Sequence, residues 1–350
     1  AYADGSPGSN DSGLVPEPGS VVINELLSNP AGGGSDWIEL HNTTAEAIDV
    51  AGWYLSDDAD DLTKYEIAEG TSIPADGYLV FYQDQHFGND SDPGCSTSFG
   101  LSKNGETVYL HSGSAGVLTG YSEQEKFDAS HAGVSFGRWR KSTGSYNFVA
   151  LSEPTPGAAN ADPVVGPIVI NEIMYHQSGS EEAEYVELLN ISDSAATLYD
   201  AMQQAPWRFT DDPDDPEIEL LFPSDSPVTL GPGEYLVLTK DLTAFNATYT
   251  VPAGVQVLAW TFGRLANGGE KLQLSRPGEV DDDGTREWIR VDRVAYSDGS
   301  HPEDFANGVD PWPVAADGQG KSLSRIDQET YGNDPANWQP ATPTPGRANP

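Results

Sequence analysis

The chain says most things twice. Val22-Ile23-Asn24-Glu25-Leu26 returns as Val169-Ile170-Asn171-Glu172-Ile173, and Asp36-Trp37-Ile38-Glu39-Leu40-His41-Asn42 as Glu184-Tyr185-Val186-Glu187-Leu188-Leu189-Asn190. Trp53-Tyr54-Leu55-Ser56-Asp57-Asp58 returns as Trp207-Arg208-Phe209-Thr210-Asp211-Asp212. Gly77-Tyr78-Leu79-Val80 matches Glu234-Tyr235-Leu236-Val237, and the stretch from Asn104 to Leu110 matches Gly268 to Leu274. Both copies close on the same words, Thr155-Pro156-Gly157-Ala158-Ala159-Asn160 and Thr344-Pro345-Gly346-Arg347-Ala348-Asn349. Landmarks repeated in one order mark a tandem duplication, so each copy is expected to close its own core. The first copy covers 20–160, a short linker 161–167, and the second copy 168–350. Two insertions lengthen the second, Pro213 to Pro227 and Pro277 to Gly320. Residues 1–19, rich in Gly, Ser, Asp and Pro, read as a flexible arm, and Ala1 to Gly5 as the start of a processed or excised chain.

Nearly every landmark reads as a strand. Trp37, Glu39 and His41 alternate with Ile38 and Leu40, and Thr107, Tyr109 and His111 with Val108 and Leu110. The 37 Gly and 26 Pro punctuate these runs, while 8 Trp, 15 Tyr and 11 Phe supply core material. Asn104-Gly105 reads as a hairpin turn, since type I′ geometry needs φ > 0 twice. Only Gln83 to Phe87 and Asp241 to Phe245 suit a helical turn. The expected fold is all-β: two antiparallel sandwiches, with Trp53 and Trp207 at equivalent inner positions.

The landmarks I-N-E, D-W-I-E-L-x-N, G-W-x-L-S-D-D, P-x-x-G-Y-L-V, L-x-x-x-G-E-x-V-x-L, S-x-G-R and the closing T-P-G-x-x-N together resemble the lamin tail domain. That family is an immunoglobulin-like sandwich of nuclear lamins and many secreted bacterial proteins. The resemblance runs through both copies, from Val21 to Asn349. The second copy, with Trp312 to Gly318, Ser322-Leu323 and Asn337-Trp338, resembles the longer variety in very large exported proteins of aquatic bacteria. What the resemblance implies is a binding or structural module, and it offers no catalytic residue.

Charge narrows the partners. Seventeen Lys+Arg against 55 Asp+Glu leave a net charge of −38, which repels phosphate backbones and excludes a nucleic-acid binder. No run of about 18 apolar residues is present, so no membrane insertion is expected. Self-repulsion on this scale calls for cations or a saline medium. The acidic groups Asp57-Asp58-Ala59-Asp60-Asp61 and Asp211-Asp212-Pro213-Asp214-Asp215 follow the two matching tryptophan strands. Oxygen ligands packed so densely suit a hard cation, so Asp57, Asp58, Asp60, Asp61, Asp211, Asp212, Asp214 and Asp215 are the candidate ligands for Ca2+. The competing reading is that these aspartates cap their own turns and face water. Asn89 to Asp92 and Asp281 to Gly284 lack the spacing of a twelve-residue calcium loop.

Other motifs dissolve on inspection. Gly133-Val134-Ser135-Phe136-Gly137 spells a nucleophile elbow, but it sits in a β-only copy with no His after it in that copy. Gly320-Lys321-Ser322 has Ala315 where a phosphate loop needs Gly. The six histidines form no H-x-H or H-E-x-x-H pair, and the single Cys95 makes neither a disulfide nor a structural zinc site. Glu25 with Glu39, and Glu172 with Glu187, could pair as glycosidase carboxylates. A hydrogen-bonded network that holds a sandwich edge explains their duplication better. Trp37, Trp53, Trp207, Trp288, Trp312 and Trp338 divide between core and a sugar-stacking platform.

The expected function is therefore a non-catalytic extracellular module, secreted or at a cell surface, with a structural or adhesive role. Self-association through sheet edges and the amino-terminal arm into a surface or fibre component is one form of it. The alternative is a carbohydrate-binding accessory module of a secreted hydrolase, marked by an exposed aromatic row on one sheet. An enzyme would need paired carboxylates in a deep cleft.

Overall fold

The computed structural model describes residues 15–179, 181–213, 215–281 and 284–350. Two compact units emerge, one comprising residues up to Trp139 with Tyr146–Val164, the other Arg140–Ser145 with Val165–Pro350. About 40% of the chain is strand and 6% helix, so the fold is all-β and immunoglobulin-like, as the alternating landmarks require.

The first unit is built from β1 (Val21–Leu27), β2 (Trp37–Asn42), β3 (Tyr54–Ser56), β4 (Tyr65–Glu66), β5 (Tyr78–Tyr82), β6 (Gly105–Ser114), β7 (Val117–Asp128), β8 (Phe136–Arg140) and β9 (Tyr146–Ala150). One sheet has the order β9-β8-β1-β2-β5 and the other β4-β3-β6-β7. Ile23, Leu26, Ile38 and Leu40 turn inward from the first sheet to meet Leu55, Val108 and Leu110 from the second. Trp53 is buried in this core beside Tyr121, with ring centroids 4.9 Å apart.

The second unit follows with β10 (Ile168–Met174), β11 (Tyr185–Asn190), β12 (Arg208–Thr210), β13 (Glu219–Leu221), β14 (Tyr235–Thr239), α1 (Leu242–Thr248), β15 (Gln256–Ala259), β16 (Gly269–Val280), β17 (Arg286–Ser297), β18 (Ser322–Arg325) and β19 (Trp338–Ala341). Its sheets run β15-β14-β11-β10-β18-β19 and β13-β12-β16-β17. Trp207 is buried in this core, the equivalent of Trp53. Asp241 caps α1 by accepting from the backbone N–H of Thr243 and Ala244, the helical turn read from the sequence. Gln83 to Phe87 forms turns only.

Three local expectations shift. Asn104-Gly105 turns the chain into β6 rather than joining two strands. The β6–β7 hairpin closes instead at Ala115-Gly116, with φ of 50° and 80°, the two positive values a type I′ turn needs. Alanine is a poor signal for such a turn, which is why the sequence pointed elsewhere. The insertion read from Pro277 to Gly320 includes the outer part of the β16–β17 hairpin, which stays paired out to Val280↔Arg286. Within the expected linker, Asp162 and Val164 exchange backbone bonds with Ser152 and Ala150, so it begins as a strand partner of the first unit. Of the expected arm, residues 1–14 lie outside the described part, and Val15 packs against the first core.

Candidate functional site

The repeated Asn-Glu pair sits at a bulge. On β1 the register with β2 passes from Ile23↔Leu40 to Glu25↔Glu39, leaving Asn24 as the extra residue. On β10 it passes from Ile170↔Leu188 to Glu172↔Glu187, leaving Asn171 extra. A bulge re-aims side chains, and here it brings two carboxylates and an amide to one sheet face. Glu25 accepts from the backbone N–H and hydroxyl of Thr155, the latter at 2.7 Å. Glu39 accepts from the Asn24 amide at 2.7 Å and the Gly157 N–H. The Asn160 amide donates to the carbonyls of Asn24 and Arg138. The second unit repeats all but one of these bonds: Glu172 holds the Thr344 N–H but takes its hydroxyl donor from Ser322, Glu187 holds the Asn171 amide and the Gly346 N–H, and Asn349 donates to the carbonyls of Asn171 and Arg325.

The closing Thr-Pro-Gly-x-x-Asn words are therefore latches, and each is pinned across the outer face of its sheet. All four glutamates have 0% exposure. Burial pushes Glu39 up to about 7 and Glu187 up to about 8, although the amide and N–H donors pull the other way. Carboxylates this enclosed and this fully engaged reach no substrate, so the glycosidase geometry is not formed. Ser135 of the elbow-like motif is likewise fully buried, at the entry to β8 rather than on a strand-to-helix turn.

At the first acidic turn, Lys64 Nζ stands 2.7 Å from Asp57 and 3.6 Å from Asp58. Asp58 accepts from the Asp60 N–H, which with Lys64 lowers its pKa. Asp61 accepts from the Thr63 N–H and hydroxyl. At the second turn, Asp211 accepts from the N–H groups of Asp212 and Glu217, and Asp212 from that of Asp215. Asp214 lies outside the described residues. Ser56 and Thr210 anchor the two turns alike, each donating to a carbonyl two residues on, Asp58 and Asp212. Asp58, Asp61, Asp211 and Asp212 thus accept from their own turns, and Asp57 faces Lys64. Among the described residues, no group of three or more His, Cys, Asp or Glu is placed to hold a metal ion.

This geometry predicts that calcium and sodium chloride at equal ionic strength raise the melting temperature alike. A specific site would add about 2.7 kcal/mol at a hundredfold excess of calcium over its dissociation constant. Differential scanning fluorimetry with matched salts separates the two, and an extra calcium shift lost in Asp58→Asn would restore the ion.

One surface feature was not legible as a site. A concavity of about 390 Å³ opens on the first unit, lined by Val22, His41, Thr43, Asp76, Tyr78 and Trp139 among others. His41 and Tyr78, opposite each other on β2 and β5, stack at 4.4 Å with an 11° interplanar angle. His41 Nε2 lies 3.2 Å from Asp76 Oδ1. Of the tryptophans read as a platform, Trp37, Trp53, Trp207, Trp312 and Trp338 are buried and Trp288 lies beneath the Arg208 guanidinium. Trp139, which no repeated landmark marked, is the one at the concavity.

No helix among the described residues is long and apolar enough to cross a membrane. No curated protein matches the chain. A solved structure of a DUF4876 family protein from Bacteroides thetaiotaomicron VPI-5482 shares 11% identity, covering 85% of this chain and 90% of that one at a TM-score of 0.30. The family match is local: residues 15–124, from six residues before β1 to the middle of β7, match the Lamin Tail Domain family.

Proposed function

We propose that the chain is a non-catalytic extracellular scaffold of two lamin-tail-like sandwiches in tandem, with an adhesive or assembling role at a cell surface. The observation that carries this reading is the duplicated latch. Each unit commits its most deeply buried carboxylates to holding its own closing segment, at the place where an enzyme would need them free. The same bulge and the matching backbone and amide bonds in the second unit support extending the lamin-tail likeness beyond residues 15–124.

The free edge of β5 supports assembly. Its sequence, Tyr-Leu-Val-Phe-Tyr, carries no charge and no proline, two of the devices that blunt an exposed edge, although His86 engages the backbone of Tyr82 at its end. The equivalent strand β14 is covered by β15, paired in parallel from Leu236↔Gln256 to Thr239↔Ala259. Among the described residues no strand covers β5. High salt, by screening the −38 charge, should favour association through this edge.

Sedimentation velocity over a concentration series at low and high salt tests the reading, beside a panel of chromogenic glycosides and esters. The expected result is salt-promoted association, weakened by Val80→Lys, and no product from any substrate. Product release that disappears in Glu39→Gln would overturn it.

A further inference from the structure

The two units are near-copies, so a residue that differs between them at the same backbone position isolates what one unit does and the other does not. Asp76 is such a residue. It holds a left-handed conformation, φ 51°, at the turn into β5, where the second unit has Gly233 at φ 71°. Both turns make the same bonds: Gly77 N–H to the Pro74 carbonyl, and Glu234 N–H to the Gly231 carbonyl. Glycine takes this conformation freely and aspartate at a small cost, so turn geometry alone does not call for a carboxylate here. That carboxylate is 87% exposed, at the rim of the concavity, with His41 Nε2 3.2 Å from its Oδ1.

His41 in turn stands where the second unit has buried Leu189, because His41 pairs with Tyr78 as Leu189 pairs with Tyr235. Trp139 stands where the second unit has exposed Ile326, two residues past Gly137 and Ser324, which face Glu25 and Glu172. The consecutive strands β5, β2, β1 and β8 thus bring Tyr78, His41, Val22 and Trp139 to one concavity. Three of the four carry rings, against one of the four in the second unit.

We infer that this concavity binds a neutral sugar ring of a polysaccharide. Flat rings receive the C–H face of a pyranose, and an ionised carboxylate accepts charge-assisted bonds from adjacent hydroxyls. About 390 Å³ lies within the range that small ligands fill. The net charge of −38 and the carboxylate at the rim disfavour acidic polymers, Arg138 in the lining being already paired with Glu123, and the ring-lined surface with a single carboxylate suits a neutral sugar rather than a cationic one. This adds a ligand to the adhesive role proposed above, and its failure leaves the scaffold reading standing on its own tests.

The experiment is native affinity electrophoresis of the full chain in gels containing galactomannan, mixed-linkage glucan or dextran, with alginate as the acidic control. At least one neutral polymer is expected to retard the chain, and alginate is not. Asp76→Gly should fold at least as well as the parent, since glycine relieves the turn, yet weaken retardation about tenfold or more. Trp139→Ala should do the same, while Ile326→Ala, at the matching place in the second unit, should leave it unchanged. Passage through all three neutral gels without retardation, retardation by alginate alone, or retardation undiminished in both Asp76→Gly and Trp139→Ala would each overturn the assignment.

Discussion

Arg325→Met is expected to destabilise the second unit by about 3–5 kcal/mol, the range for breaking a buried ion pair from one side. Arg325 has 0% exposure and is the largest of the fully buried side chains. Its Nη1 donates to Asp292 at 2.7 Å and to the Ile170 carbonyl at 3.1 Å, and its Nη2 to the Thr330 carbonyl at 2.6 Å. Methionine fills the volume but leaves the Asp292 carboxylate buried without its cation. The first unit supplies an internal control, because Arg138 occupies the matching position after Gly137. Arg138 pairs with Glu123 at 2.8 Å, yet both side chains keep some contact with water. Arg138→Met should therefore cost only about 1 kcal/mol, as for partly solvated pairs. Joint replacement of Arg325 and Asp292 by apolar residues should recover part of the loss. It cannot recover all, since the Ile170 N–H also donates to Asp292. Urea unfolding followed by hydrogen exchange, read separately for peptides of each unit, measures these costs. Equal costs at Arg138 and Arg325 would show that burial is not what sets them.

That contrast also marks how far a sequence carries. The repeated words located Glu25, Glu39, Glu172 and Glu187 because matching strands recur with the same glutamates. They also marked both Thr-Pro-Gly-x-x-Asn segments. What joins the two, a carboxylate of β1 bonded to Thr155, spans 130 residues of chain, and no local pattern encodes a contact so distant. The network was legible as a network, and its purpose as a latch was not. At the acidic turns the clusters were legible and their partners were not. The density of the clusters invited a cation, but Lys64, at 2.7 Å from Asp57, supplies a positive charge from seven residues away. The concavity escaped because duplication directs attention to what the copies share. Asp76, His41 and Trp139 matter through their difference from Gly233, Leu189 and Ile326, visible once register fixes which positions correspond.

The latch itself makes the fold sensitive to alkali. A carboxyl whose pKa is higher in the folded than in the unfolded chain gives stability that is complete below its unfolded value. That stability is lost as pH rises through the folded value. Glu39 is raised from 4.5 to about 7, and Glu187 to about 8, in both cases by burial above all. Burial also raises Glu106 and Glu125 of the first unit to about 7, and Glu184 to about 8 and Glu270 to about 7 in the second, so both units carry the effect and it extends to higher pH in the second. Between about pH 5 and 8 the folded chain holds protons the unfolded chain has released, and acidification in that window stabilises it. The urea midpoint is expected to rise as pH falls from 9 to 5, by on the order of 2 kcal/mol or more in the second unit. Raised ionic strength throughout screens the surface charge and keeps the effect attributable to buried groups. Glu187→Gln tests the attribution. The amide cannot titrate, so the slope should flatten. Its NH2 would meet either the Asn171 amide or the Gly346 N–H, donor against donor, so stability at pH 5 should fall as well. A latch that has loosened should then expose Thr344 to Asn349 to proteolysis before the rest of the unit opens. A midpoint that climbs from pH 5 to pH 8 would mean that the buried carboxyls are ionised at no cost, and that hydrogen bonds from Asn171, Gly346 and Thr344 outweigh their desolvation.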